Sequence, residues 1–361
     1  MFARICELNL RQSARNNTRE AQKQTIMTEK ELKAFDEYDY PFLDEPVPVT
    51  EQSWPDDVPP LVSVSCKTYM HENFIRDAIE GFIMQKTTFR IEVLIHDDAS
   101  TDKTADIVRE YEAKHPNLIK TTYQIENQYK KKPKTDKFVK PHPRRGKYVA
   151  PCEGDDYWTD PMKLQKQAMF MENNPGYSLC YHKFKRKKNS TFSKSSPVKG
   201  KDFTSFELIG SPSGIAMCTK FYINVFNDRN IPREEIMTGD YAFNAYLGTH
   251  GGAKFIADIK PSVRRIHPGG VYSSRSDLGK LKAGLNGKIK VYNYFKSNKN
   301  EEYTKITIMS IYNKIAESIY LTENKNAYQP KGVFRFKLFK IKFEINLAHY
   351  LPFLRRLRSK I

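Results

Sequence analysis

The chain has 361 residues, 39% of them hydrophobic and 12% aromatic, which is enough to form one large core and excludes general disorder. Its net charge of +18 requires an anionic partner such as nucleic acid, an acidic membrane surface or a phosphate-bearing substrate. Five widely spaced cysteines form neither a disulfide framework nor a zinc motif, and no apolar run is long enough to predict a membrane span. These properties predict a cytoplasmic protein.

Residues 1–59 are predicted to be a polar leader with a short helix around Thr28–Phe35. The segment has no apolar run of the kind that a secretory signal requires, and Met27 is an alternative start of the chain. It contains no motif that points to a function.

Strands and helices alternate from Leu61 onward. Leu61–Cys66 and Ile91–Ile95 are short apolar runs that predict strands, and Ile119–Tyr123 predicts a third. Apolar residues recur at helical spacing over Phe74–Ile83, and a second helix is predicted to end before Pro116. This β-α-β-α-β order predicts a parallel sheet with right-handed crossovers, in which ligands bind beyond the carboxyl ends of the strands.

The second half of the predicted sheet begins after a basic loop over residues 126–145. Lys147–Ala150 reads as a strand that leads into Glu153-Gly154-Asp155-Asp156, and Asp160 with Pro161 is predicted to start the next helix. Further strands are predicted at Tyr177–Tyr181, Ala253–Ile259 and Val263–His267, with a helix near Gly239–Phe243. From Asp277 onward the pattern is helical, with a predicted apolar stripe of Ile306, Met309, Tyr312, Ile315 and Ile319.

Two groups of carboxylates follow predicted strands. At the first, either residues Asp98 to Asp102 cap the next helix, or the Asp97-Asp98 pair accepts hydrogen bonds from a nucleotide. Glu153, Asp155 and Asp156 place three carboxylates within four residues, which is costly unless a cation lies among them. Oxygen ligands of this kind suit Mg²⁺ or Mn²⁺, and a solvated acidic turn is the alternative interpretation.

Two single residues complete the set of candidates. His267 precedes a glycine-rich turn, and by itself it is either a structural histidine or a contact for metal or phosphate. Asp240 by itself is an acid at the start of a helix.

Taken in order, these motifs resemble the family 2 glycosyltransferases. The matching groups are Val62-Ser63-Val64 with Thr68-Tyr69 and Glu72, then Asp97 to Asp102, then Gly146-Lys147-Tyr148 with Glu153 to Trp158. The resemblance covers roughly residues 60–275 and implies the GT-A fold, which is α/β with a mostly parallel central sheet flanked by helices. It leaves residues 276–361 as a C-terminal helical extension with a basic amphipathic tail. It also implies transfer from a nucleotide sugar, usually a UDP sugar, with inversion at the transferred carbon.

The resemblance implies a role for each matching residue. Thr68, Tyr69, Asp97 and Asp98 are expected at the base of the nucleotide, with Glu72 also on the nucleotide-sugar side. Asp155 is expected to serve the ribose and the metal, Asp156 the metal, and His267 the metal or the diphosphate, with Mn²⁺ or Mg²⁺ as the ion. Asp240 is expected to be the catalytic base. Basic side chains from Lys130 to Lys147, or Arg264 and Arg265, are expected to stabilise the leaving diphosphate.

Three departures from the family pattern limit what it implies. The family's Thr-Tyr-Asn turn is Thr68-Tyr69-Met70 here, and Glu153 stands where a first Asp is usual. Glu153 is therefore expected to hydrogen-bond sugar hydroxyls or to support the neighbouring acids. The Gln-x-x-Arg-Trp motif of processive synthases is absent, because the only tryptophans are Trp54 and Trp158, so transfer of a single sugar is expected.

The tail from Lys331 to Ile361 holds nine Lys or Arg residues and one Glu among apolar residues. It is either a basic surface element packed on the core or a contact to an anionic membrane. In the second case, the tail would bring the protein to a lipid-linked acceptor at the inner face of the cell membrane.

Two other functions compete with glycosyl transfer. Nucleic-acid binding would use the positive charge, but no nucleic-acid-binding motif accompanies that charge, and a nucleic-acid partner is not expected. A sugar-phosphate nucleotidyltransferase would share the sheet and the metal acids, yet no glycine-rich triphosphate loop follows the first strand.

Overall fold

A seven-stranded sheet organises the part of the chain that this computed structural model describes, namely residues 38–129, 138–193, 200–210, 215–227, 239–270 and 275–311. The predicted helix at Thr28–Phe35 and the tail at 331–361 lie outside these ranges. The strands, in chain order, are β1 (Val47–Pro48), β2 (Val62–Thr68), β3 (Lys86–Thr87), β4 (Ile91–Asp97), β5 (Ile119–Tyr123), β6 (Tyr148–Glu153), β7 (Tyr177–Tyr181), β8 (Phe184–Lys188), β9 (Thr191–Phe192), β10 (Phe221–Ile223), β11 (Gly252–Phe255) and β12 (Ser262–Ile266). The helices are α1 (Ile75–Ile83), α2 (Thr104–Lys114), α3 (Lys163–Glu172), α4 (Ser205–Gly210), α5 (Asp240–Gly248) and α6 (Asp277–Ser297).

The central sheet has the strand order β11-β7-β10-β6-β2-β4-β5. All neighbouring pairs are parallel except the two that involve β10. The predicted α/β class with a mostly parallel sheet is therefore confirmed. Because β2, β4 and β6 are adjacent and parallel, their carboxyl ends meet at one edge, and this edge holds Thr68, Asp97 and Glu153.

The strands β2, β4 and β6 are buried along most of their length because helices cover the sheet. Helix α1 buries Ile75, Ile79 and Phe82, the apolar stripe that its spacing predicts. The Phe82 ring packs against Trp158 with ring centroids 4.9 Å apart, and Trp158 Nε1 donates a hydrogen bond to the Cys218 carbonyl at 2.8 Å. The tryptophan thereby fixes the chain just after the acidic run.

A second, three-stranded sheet lies beside the acidic run, with the order β12-β8-β9. Strand β8 contains most of the basic cluster that begins at Lys183, a segment for which the sequence predicts no strand. The backbone of Tyr157 pairs with Val263 of β12 in an isolated antiparallel bridge. This bridge joins the small sheet to the turn that carries the acids.

Helix α6 and helical residues 301–311 complete the described part, as the helical pattern predicts. Ser276 caps α6, since its Oγ accepts a hydrogen bond from the Gly279 N–H. The predicted apolar stripe is wrong at Met309, which is 40% exposed, while Ile306 is partly buried against other core residues. Tyr312, Ile315 and Ile319 lie outside the described residues. Among the described helices, none is long and apolar enough to cross a membrane.

Candidate active site

The acidic run begins at the carboxyl end of β6 and turns across the end of β2. Gly154 N–H donates to the Lys67 carbonyl at 2.9 Å, and Asp156 N–H donates to the Glu153 carbonyl at 3.0 Å. A Cβ atom at Gly154 would lie 2.7 Å from Thr68 Oγ1, closer than packed atoms tolerate. The glycine therefore lets the acids lie directly against the end of the neighbouring strand.

Asp155 and two histidines form the centre of the site. Asp155 Oδ2 lies 3.0 Å from His267 Nε2, so the predicted acid and histidine meet although they are 112 residues apart. His71 is the third member, and the ligand atoms of His71, Asp155 and His267 all lie within 4.8 Å of one another. The sequence analysis missed His71, although its position three residues after the end of β2 was a usable signal.

These residues fit a divalent cation. Asp155 Oδ1 is buried and has no hydrogen-bond partner among the described residues, which is costly for a carboxylate oxygen unless a ligand completes it. Glu153, Asp155 and Asp156 form a second group whose oxygens lie within 4.8 Å of one another. Both groups share Asp155, so a single ion beside this residue would reach imidazole and carboxylate ligands together.

The pKa values of Asp156 and Glu153 are both raised, although the two side chains differ in exposure. Asp156 is 3% exposed, and burial together with the charge of Asp155 raises its pKa well above the usual range. Its Oδ1 accepts a hydrogen bond from the Arg265 N–H at 2.9 Å. Glu153 is accessible to solvent at its tip, but loss of hydration, followed by the charges of Asp155 and Asp240, raises its pKa to about 7. A cation in the site would oppose both shifts.

Arg265 holds the acidic turn against helix α1. Its Nη1 donates to the Asp155 carbonyl at 3.0 Å, and its Nη2 forms an ion pair with Asp77. The guanidinium also lies over the Tyr157 ring, 4.5 Å from the centroid. The sequence suggested Arg265 only as a contact for the charge of the leaving group, and these contacts give it a supporting role. The charge of its neighbour Arg264 opposes, without reversing, the rise in the pKa values of Glu153 and Asp156.

Asp97 and Asp98 are occupied by hydrogen bonds from the protein. Asp97 is 2% exposed and accepts from both the N–H and the hydroxyl of Ser100, which stabilises the turn after β4. Burial raises the pKa of Asp97. Asp98 accepts from the N–H of Gln128 at 2.7 Å and of Tyr129 at 3.1 Å. It therefore fixes the start of the basic loop, most of whose middle lies outside the described residues, and its predicted contact to a nucleotide remains a prediction.

The turn after β2 brings Thr68, Tyr69 and Glu72 to the same edge of the sheet. Thr68 Oγ1 lies 3.2 Å from His71 Nδ1, and Tyr69 is partly exposed. The Glu72 carboxylate accepts the Lys103 N–H at 3.0 Å, so in this structure it stabilises the turn before α2. Met70, which replaces the family's asparagine, has a φ of 57°, a left-handed conformation that favours asparagine over methionine.

Asp240 is the first residue of α5 and is 60% exposed on its side chain. Its charge also contributes to the raised pKa of Glu153, so it acts on the acidic run. Lys220 Nζ lies 3.4 Å from Asp240 Oδ1. The structure thus brings together the predicted base, the predicted metal acids and His267, and adds His71 and Lys220 to them.

Residues 63–226 match the family described as "Glycosyl transferase family 2". An uncharacterized protein of Mycobacterium tuberculosis is 43% identical over 34% of this chain and 34% of its own length. The chain thus spans about a third of the length of the first curated relatives that it matches. The Escherichia coli protein "UDP-Glc:alpha-D-GlcNAc-diphosphoundecaprenol beta-1,3-glucosyltransferase WfaP" is 27% identical over 60% of this chain and 81% of its own. Among solved structures, Staphylococcus aureus TarS 1–349 in complex with UDP-GlcNAc is 21% identical with a TM-score of 0.46, covering 64% of this chain and 66% of that 1–349 chain.

Proposed function

The chain carries a family 2 glycosyl transferase domain, and we propose that it moves a single sugar, with inversion, from a nucleotide sugar to an acceptor hydroxyl. The expected nucleotide is UDP, and the expected acceptor is a glycan or a lipid-linked glycan used in surface polysaccharide synthesis. The observation that carries the proposal is the pair of Asp155 and His267 within the acidic cluster at the carboxyl end of β6. The name of the WfaP relative, with a UDP sugar and a diphosphoundecaprenol acceptor, supports this choice of substrates.

Asp155, Asp156 and His267 are proposed to hold the divalent ion, with His71 as a further ligand. When bound, the ion would act as a Lewis acid that neutralises charge on the leaving diphosphate. Because Mg²⁺ prefers oxygen ligands alone, the two imidazoles favour Mn²⁺ over Mg²⁺. Arg264, whose charge acts on Asp156, is proposed to add positive charge beside the leaving diphosphate.

Asp240 is proposed to take the proton from the acceptor hydroxyl as that oxygen attacks the anomeric carbon. Its exposed side chain at the cleft leaves room for an acceptor to reach it. One base is sufficient for a single displacement, because no covalent glycosyl-enzyme forms.

The remaining predicted contacts belong to the nucleotide sugar. Asp97 and Asp98 already accept hydrogen bonds, but each carboxylate has about four lone-pair positions and retains acceptor capacity for a base or ribose. Thr68 and Tyr69 are proposed to line the same pocket. Glu153 is proposed to accept hydrogen bonds from hydroxyl groups of the transferred sugar.

The proposal is tested by thermal stabilisation with a panel of nucleotide sugars, with and without Mn²⁺, followed by donor hydrolysis. We expect UDP sugars to raise the melting temperature only when Mn²⁺ is present. Asp155→Asn is expected to lose this stabilisation, whereas Asp106→Asn, whose carboxylate pairs with Arg109 on the exposed face of α2, is expected to keep it. Pyrophosphate release from a nucleoside triphosphate and a sugar phosphate would instead support the nucleotidyltransferase alternative.

A further inference from the structure

Strand β8 carries a run of cations beside the strand that leads to His267. Its register with β12 pairs Arg186 with Arg264 and Lys188 with Ile266. Side chains alternate between the two faces of a strand, so Arg186, Lys188 and Arg264 share one face, and Lys185 lies on the other. The basic strand is thus continuous with the border of the active site, where the Arg265 N–H contacts Asp156.

The cations of β8 have no acidic partners in the described part of the chain. Lys185, Arg186 and Lys188 are exposed, and no described carboxylate lies within ion-pair distance of them. Elsewhere on the surface cations are commonly paired, as in Arg76 with Glu110 and Lys254 with Asp202. Residues 182–201 contain eight Lys or Arg residues and no Asp or Glu. Cations that repel one another without compensation favour an anionic ligand.

The composition of this face selects among anionic ligands. Sequence-independent binding of single-stranded nucleic acid uses aromatic side chains between the cations, and docking to a membrane uses exposed apolar ones. The face that holds Arg186 and Lys188 has Phe184 as its aromatic residue on β8, and Phe184 is 2% exposed. An acidic glycan chain can bind through cations alone, and it is an anion that would approach a sugar-transfer site. It therefore fits this face best.

We propose that the Arg186 and Lys188 face of β8 binds an anionic stretch of the acceptor glycan. This inference rests on the proposed transferase function, since β8 would hold the acceptor beside β12, the strand that leads to His267. The acceptor would then be an acidic polysaccharide and not a neutral one.

The test measures binding of alginate oligomers, a polyuronate probe, to the full-length protein in about 0.15 M salt, where the Debye length of about 8 Å limits the influence of distant charges. We expect Lys188→Gln and Arg186→Gln each to weaken binding by about three- to fivefold, the upper part of the range of an exposed ion pair. Lys185→Gln removes the same charge from the same strand on its other face, and it is expected to change binding by less than twofold. Neutral dextran oligomers are expected to bind none of these proteins.

Several results would overturn the inference. Equal loss in Lys185→Gln and Lys188→Gln would mean that only overall charge matters. Tighter binding of a single-stranded oligonucleotide or of phosphatidylglycerol vesicles, with the same variants weakened, would assign the strand to that partner instead. Stabilisation by UDP and Mn²⁺ is measured on the same samples. If it is present while alginate does not bind, this inference fails alone; if it is absent, the transferase proposal fails and the acceptor assignment with it.

Discussion

The Nζ of Lys220 lies 3.4 Å from Oδ1 of Asp240, although the Lys220 side chain is completely buried and that of Asp240 is 60% exposed. Among the described residues, this ammonium also donates a hydrogen bond to Sδ of Met217, at 3.4 Å. A buried cation is costly unless an anion compensates it, so the pair constrains Asp240 as much as it stabilises Lys220. Lys220 is therefore a positioning residue for the proposed base.

Lys220→Met keeps the length of the side chain and removes its charge. We expect kcat for sugar transfer to fall at least about tenfold with donor KM within about twofold, because the buried Lys220 is not among the proposed donor contacts while the base loses its fixed position. Lys254→Met breaks the exposed pair with Asp202 and serves as the matched control, with both constants unchanged. Unaltered kcat in Lys220→Met, with the variant folded, would show that the pair has no part in positioning the base.

Asp240→Asn tests the base itself. Removal of a general base is expected to lower transfer by about 10²–10⁴-fold, since the amide cannot take up the proton of the acceptor hydroxyl. Stabilisation by UDP and Mn²⁺ is expected to persist, because Asp240 is not among the proposed nucleotide or metal contacts. The measurements are product formation and the melting temperature with ligand. Turnover equal to that of the unaltered chain would remove Asp240 from the mechanism.

The position of the acidic turn depends on the absence of a side chain at Gly154. In Gly154→Ala the new Cβ would meet Thr68 Oγ1 at 2.7 Å and His71 Nδ1 at 3.0 Å. Overpacking of this kind costs about 1–3 kcal/mol, so we expect the free energy of unfolding to fall by that amount. Urea denaturation measures the loss, and metal binding should weaken in parallel because the turn moves. Gly176→Ala is the control, since nothing lies within 4 Å of its Cβ position, and an equal loss there would contradict the explanation.

Local patterns were sufficient to predict the elements that build the active-site edge. The bounds of β5 and β7 agree with the sequence analysis, and β2, β4 and β6 differ from it by a few residues at their ends. An apolar run between two segments with helical spacing is a strong signal for a strand, because both faces of a parallel sheet are buried. The Asp155 and His267 pair was expected from the family resemblance and not from spacing, because no local pattern reports a contact across 112 residues.

What the sequence did not predict depends on tertiary packing. Strand β8 consists mostly of cations, which have low strand propensity, and it forms a strand because β12 and β9 pair with it on both sides. Lys220 looks like an ordinary surface lysine in the sequence, and only the fold around it shows that it is buried. Met309 belongs to the predicted apolar stripe but is exposed, because helical spacing alone does not determine which face of a helix meets the core.

His182 gives a prediction about pH that is separate from the active site. Its side chain is fully buried, Nδ1 has no hydrogen-bond partner among the described residues, and burial followed by the charge of Lys163 lowers its pKa well below 6.5. The folded state therefore keeps His182 neutral, while the unfolded state takes up a proton below about pH 6.5. The free energy of unfolding therefore falls as the pH falls through that value, by at most about 1.4 kcal/mol per pH unit. His182→Asn removes this proton uptake, and its free energy of unfolding should decline less steeply than that of the unaltered chain between about pH 6.5 and 5. His250→Asn, at an exposed histidine, should leave the slope unchanged. Parallel slopes for the unaltered chain and His182→Asn in urea denaturation across this range would show that His182 is not the group that destabilises the fold in acid.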